Sequence, residues 1–176
     1  MADLDKFNRL IKRYPEVFRD KSFNYETFKR VFEKTEVDSN LTVCYIDQDI
    51  IHYIVMAMVM KSGRYLDINF VSAYELIDIY LGNVEDVSCL TALTNEVIAV
   101  YDGVGMPNKQ KGNIIAQVAD QQRMAGRKFW LFYKGNKSKL KAMYPEVAEV
   151  IDNCNFKELN YISATAKKEE YTEDLI

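Results

Sequence analysis

Three aspartates are the residues best placed to do chemistry. Asp47 and Asp49 follow closely on one apolar hexad, Leu41–Ile46, and Asp102 closes another, Glu96–Tyr101. Both hexads read as strands, so the carboxylates would gather at the carboxyl edge of an α/β sheet, where such folds bind ligands. Clustered carboxylates there can hold magnesium and activate a water, as a metal-dependent nuclease does. A plainer reading competes with this one: an aspartate at the start of a helix caps it and suits its dipole. Gly103 and Gly105 beside Asp102 form a GxG, but the third glycine of a dinucleotide fingerprint is absent, and a tight turn accounts for both. His52 is the only histidine, which excludes triads or metal sites needing a second one. Cys44, Cys89 and Cys154 are odd in number and widely spaced, so they read as reduced thiols of a cytosolic protein. No metal centre and no cofactor is expected.

The second concentration of chemistry is basic. Residues 105–145 carry nine Lys or Arg against Asp120 alone, net +8, while residues 36–104 carry net −9. A formal net charge of −3 therefore hides a dipolar molecule. Lys109, Lys111, Arg123, Arg127, Lys134, Lys137, Lys139 and Lys141 are candidates for a surface that meets nucleic acid or an acidic partner, with Trp130 or Tyr133 as a stacking face. Two facts weigh against single-stranded DNA: Trp130 lies inside an apolar run, and a pI near 5.3 is unlike that of a nucleic-acid binder.

These residues need a frame. The chain has 176 residues, 48% hydrophobic and 12% aromatic, which suits one globular domain with a real core. The start lacks the apolar stretch of a secretion signal. The most apolar run, Ile50–Met60, is too short to span a membrane and reads as a buried helix. A helix is expected from Lys6 to Tyr14, and another over Tyr25–Lys34, where Phe28, Val31 and Phe32 share a face. Strands are expected at Leu41–Ile46, Leu66–Val71, Glu96–Tyr101, Lys128–Tyr133 and Lys157–Ile162. Between them fall a helix over Asp47–Lys61 ended by Gly63, one capped by Ser72, one framed by Gly112 and Gly126, and a helical region broken before Pro145. Strands that are nearly continuous apolar runs, alternating with helices, predict a three-layer α/β/α fold with a five-stranded, mainly parallel sheet. The expected division is a helical N-terminal extension (1–38), the α/β core (39–163) and a charged tail (164–176).

The order of these elements resembles the ATPase core of bacterial helicase loaders of the AAA+ superfamily. The resemblance rests on "KRYPEVFRDKSFNYETF", "LDINFVSAYELIDIYL", "LTALTNEVIAVYDGVG", "KFWLFYKGN" and "YPEVAEVIDNCNFKEL", and runs over roughly residues 11–163. It implies a RecA/AAA+-like core with strand order 5-1-4-3-2. It also implies a glycine-rich phosphate loop after the first strand, a pair of acidic residues ending the third, and an arginine near the end of the last helix. The chain departs at each point. After Ile46 comes Asp47-Gln48-Asp49, with no Gly, Lys, Ser or Thr to cradle phosphate. One unit charge opposing another at 4 Å costs about 4 kcal/mol at an effective dielectric of 20. Only Asp102 remains of the acidic pair, and Glu149 stands where the arginine is expected.

What the resemblance implies is thus a degenerate, non-catalytic ATPase domain of DNA replication, without ATPase activity. It would act in the cytoplasm by binding a replicative helicase, its loader or another AAA+ subunit, and it would suit a phage or mobile element. A single-stranded nucleic-acid-binding module and a metal-dependent nuclease are the alternatives.

Overall fold

The computed structural model describes residues 24–36, 39–47, 50–62, 67–81, 95–102 and 109–162, besides Asn8, Arg9 and Lys12. Helix α1 (Tyr25–Lys34) precedes strand β1 (Leu41–Ile46), then α2 (Ile51–Lys61), β2 (Ile68–Ser72) and α3 (Ala73–Tyr80). Strand β3 (Val97–Asp102), α4 (Lys109–Met124), β4 (Lys128–Lys134), α5 (Lys137–Met143), α6 (Pro145–Asn153) and β5 (Lys157–Tyr161) follow.

The strands lie in the order β2-β3-β4-β1-β5, and every pair is parallel. That is the expected 5-1-4-3-2 arrangement of a RecA/AAA+-like core, with β4 and β1 at its centre. Both faces are covered, so the inner strands are apolar on both sides. Along β1, Cys44 and Ile46 enter the layer under α1 and α2, while Leu41, Val43 and Tyr45 enter the layer under α3, α4, α5 and α6. Trp130 and Phe132 take the first face, and Phe129, Leu131 and Tyr133 the second.

Local sequence sets the element ends. Asn24 caps α1, its Oδ1 accepting from the Thr27 N–H at 3.1 Å. Ser72 caps α3 in the same way through the Glu75 N–H at 3.1 Å. Pro145 opens α6, splitting the helical region where its ring cannot continue a helix. After β4, Gly135 has φ 147°, and a side chain there would meet the Tyr133 ring at 2.9 Å. Its N–H bonds the Ile46 carbonyl at 2.9 Å, tying the ends of β4 and β1 together.

Helix α1 is part of the core. Phe28 and Val31 are buried with α2, the Phe28 and Tyr53 rings lie 6.4 Å apart, and Thr35 meets the Tyr161 hydroxyl at 2.6 Å. Of the expected Lys6–Tyr14 helix only Asn8, Arg9 and Lys12 are described, all three helical and exposed; the Gly63 cap, Gly103, Gly105, Cys89 and the tail lie outside the described residues.

Candidate functional site

The carboxyl edge of the sheet brings the ends of β1 and β3 to either side of β4. Ile46 is in register with Lys134, and Asp102 with Tyr133. Two inter-strand spacings, roughly 10 Å, separate the backbones beyond them.

Asp47 follows β1 in a half-buried bend. It does not open the next helix, contrary to the sequence expectation. Helix α2 begins at Ile51, with Ile50 in the capping position and no side-chain cap. The bond from Gly135 to Ile46 holds the chain in line with the strand, and the helix starts only where an unbroken buried run, Ile51–Val59, begins. Gln48 and Asp49 lie outside the described residues.

Asp102 is the centre of the site. It is buried at 3% exposure, and its Oδ1 is 3.1 Å from the Lys111 ammonium, itself fully buried. The same ammonium sits over two tyrosine rings, 4.7 Å from the centre of Tyr74 and 5.3 Å from that of Tyr144. Each element places one member by its own logic. Strand β3 ends on Asp102, and Tyr74 stands in the first turn of α3. Lys111 stands in the first turn of α4, and Tyr144 is the corner residue between α5 and α6. Gly112 lets that corner close, because a Cβ there would lie 2.9 Å from Tyr144 Cδ1. The Tyr144 and Tyr133 rings meet edge to face at 6.4 Å.

The electrostatics follow from burial around one negative charge. Burial and then the Asp102 carboxylate raise the pKa of Tyr144, and the same causes push Tyr133 up to about 12. The Tyr144 hydroxyl also hydrogen-bonds the Asp102 carboxylate, which adds to its upward shift.

This geometry removes Lys111 from the basic surface to which the sequence assigned it. A lysine at 0% exposure with a carboxylate partner cannot meet nucleic acid. The signal lies in helical spacing: Lys111, Ile114, Ile115, Val118, Ala119 and Gln122 form one buried stripe of α4. Tyr74 and Tyr144 were not singled out from sequence at all. Trp130 and Tyr133, the suggested stacking faces, are each 2% exposed and belong to the core.

The remaining basic residues are dispersed or neutralised. Arg123 pairs with Asp120, Lys137 with Glu158 at 2.8 Å and with Asp152, and Lys141 with Asp152 at 3.7 Å. Lys134 and Lys139 are exposed, whereas Arg127 is half-buried. The side chain of Lys109 lies outside the described residues. Glu149 is exposed on α6 and lines a shallow cleft of about 290 Å³ with Asp120 and Cys154. His52, 4% exposed, stacks near Tyr53 at 4.1 Å, and Cys44 is buried so fully that its thiol pKa is raised.

Magnesium at the end of β3 would need carboxylate oxygens turned toward it. Asp102 instead carries an ammonium, and no group of three or more His, Cys, Asp or Glu among the described residues could hold a metal ion. Those residues do not fit such a centre. Nor is any described helix long and apolar enough to cross a membrane.

No family model matches this chain, and no curated protein does. Solved structures do. The chain is similar to AMPPCP-bound DnaA from Aquifex aeolicus, with a TM-score of 0.50 at 13% identity over 77% of this chain and 45% of that one. It is similar to a DNA replication initiation factor, with a TM-score of 0.51 at 11% identity over 90% of this chain and 53% of the other. The DnaC helicase loader gives 0.50 at 11% identity, over 82% of this chain and 95% of that one. The chain thus spans about half the length of the first two. What it shares with all three is the fold: a five-stranded parallel α/β core in RecA/AAA+-like order.

Proposed function

We propose that this chain is a non-catalytic interaction protein of DNA replication. It is a pseudo-ATPase domain that binds a replicative helicase, a helicase loader or another AAA+ subunit and regulates or blocks it. The observation that carries this reading is the Asp102–Lys111 pair. Phosphoryl transfer needs a strand-end carboxylate free to hold magnesium beside a polyphosphate, and here that carboxylate is buried against the chain's own ammonium. Asp47 supports the reading from the other side of β4, since an acid stands directly after β1. The shared fold with DnaA and the DnaC helicase loader supports the replication setting. A domain of this shape presents partner surfaces without turning over nucleotide, and the cytoplasm is where it would meet such partners.

Titration of fluorescent ATP with magnesium, followed by anisotropy, tests the first half of the proposal. No saturable binding is expected at micromolar protein, and tight binding would refute it. Direct titration of purified replicative helicase and loader against the chain tests the second. A stoichiometric complex with at least one of them is expected. Binding of single-stranded DNA with a steep salt slope, and of neither protein, would favour the nucleic-acid reading instead.

A further inference from the structure

We infer that Lys111 is the resident cation of the Asp102 site: a tethered ammonium, held in an aromatic cage, that supplies permanently the positive charge a strand-end carboxylate otherwise takes from a metal ion. The inference rests on the non-catalytic reading above and adds to it a specific occupant and a specific consequence.

Three observations converge. Opposite charges meet inside the fold, a carboxylate at 3% exposure and an ammonium at 0%, 3.1 Å apart. The cation is also enclosed: Tyr74 and Tyr144 present ring faces to it at 4.7 and 5.3 Å, the geometry by which aromatic cages hold ammonium groups. Finally, the enclosure is built into the backbone. Gly112, the next residue, has no Cβ to hold off the Tyr144 ring, and Lys111 lies on the buried stripe of α4, so its stem is packed as well as its head.

The chemistry differs from a metal site in one respect that matters. A divalent ion arrives and departs with its nucleotide, so the site has a full and an empty state. An ammonium fixed to α4 cannot leave. The link from the end of β3 through α4 to the α5–α6 corner is therefore always made, and the domain holds one conformation without a ligand. This is the consequence for a partner-binding protein: its surface needs no nucleotide to be ordered.

Thermal melts of the full chain test the idea, comparing wild type with Lys111→Ala, Lys111→Met, Asp102→Asn and the double variant Lys111→Met/Asp102→Asn. Each single variant strands a buried charge or removes its partner and is expected to lower the Tm by about 10 °C. The double variant, with both charges gone, is expected to melt above both Lys111→Met and Asp102→Asn. Ethylammonium is expected to raise the Tm of Lys111→Ala, with sodium chloride at equal ionic strength giving no such rise. Manganese, followed by its electron paramagnetic resonance signal, is expected to stay free in the presence of wild type. If Lys111→Ala does not fold, the double variant decides: recovery relative to Asp102→Asn supports the inference, and no recovery overturns it. Single variants as stable as wild type, or manganese bound to wild type in an Asp102-dependent way, would also overturn it. Nucleotide bound without divalent ion would sink the functional reading and leave the Lys111 assignment standing.

Discussion

Gly112 and Tyr144 are in backbone-to-ring contact: a Cβ on Gly112 would lie 2.9 Å from Cδ1 of Tyr144 and 3.2 Å from its Cβ. Alanine would add helix propensity worth about 1 kcal/mol. It would also overpack a ring 1% exposed and held edge-on by Tyr133, which costs about 1–3 kcal/mol. The ring is buried and packed against Tyr133, so the second effect is expected to win. Gly112→Ala is expected to lower the urea midpoint, and a raised midpoint would mean that the corner yields.

Gln122 closes the far end of the same stripe. Its Nε2 donates to the Asn95 carbonyl at 3.2 Å and to the Lys128 carbonyl at 2.8 Å, joining the lead-ins of β3 and β4. Gln122→Leu keeps the bulk and removes both bonds, at a cost of about 1–3 kcal/mol. Denaturant titration reads it, and an unchanged midpoint would contradict it.

Alkaline pH should unfold the protein. Tyr45, Tyr133, Tyr144 and Tyr161 all have raised pKa values, each chiefly by burial, with Tyr133 pushed up to about 12. A group whose folded pKa lies above its unfolded one stabilises the fold fully below the unfolded value, here 10.0 for tyrosine. That stability drains away as pH climbs from there through the folded value. Melts between pH 8 and 12 are expected to be level up to about pH 10 and to fall beyond it. For the buried tyrosines, tyrosinate absorbance should rise together with loss of structure. Ionisation of all tyrosines well before unfolding would contradict this.

Phe28 tests whether α1 belongs to the domain. The residue is 3% exposed and packs its ring against Phe32 at 5.7 Å and Tyr53 at 6.4 Å. Phe28→Ala is expected to cost about 3–5 kcal/mol, as for a core phenylalanine. A loss under 1 kcal/mol in guanidinium unfolding would make α1 an appendage.

Sequence gave the elements more readily than their chemistry. Helix α1 and strand β1 fall where Phe28, Val31, Phe32 and the hexad Leu41–Ile46 put them, because spacing and β-branching act locally. Pro145 and Ser72 marked their helix ends for the same reason. Strand β2 begins later than expected, at Ile68, and β3 runs through Asp102. The sheet order was legible only through the resemblance to helicase loaders, since parallel pairing depends on crossovers that no local pattern encodes. The site was half legible. Asp102 stood out as a strand-end acid, yet Lys111 was read as part of a basic run because charge counts are blind to helical phase. Tyr144 could not be found at all: its role exists only once α4 meets the α5–α6 corner. Asp47 was misplaced into a helix that in fact waits for Ile51, where continuous burial starts.

The placing of β1 between β4 and β5 has a consequence for how the protein is made. Its hydrogen-bonding partners are Phe129–Lys134 on one edge and Lys157–Tyr161 on the other. A ribosome must therefore deliver almost the whole described chain before that apolar ribbon has two neighbours. Until then it is an uncovered edge, the kind of surface that chaperones guard and that nascent chains aggregate through. Expression products that stop short of Lys157 should accumulate as inclusion bodies, whatever their activity would have been.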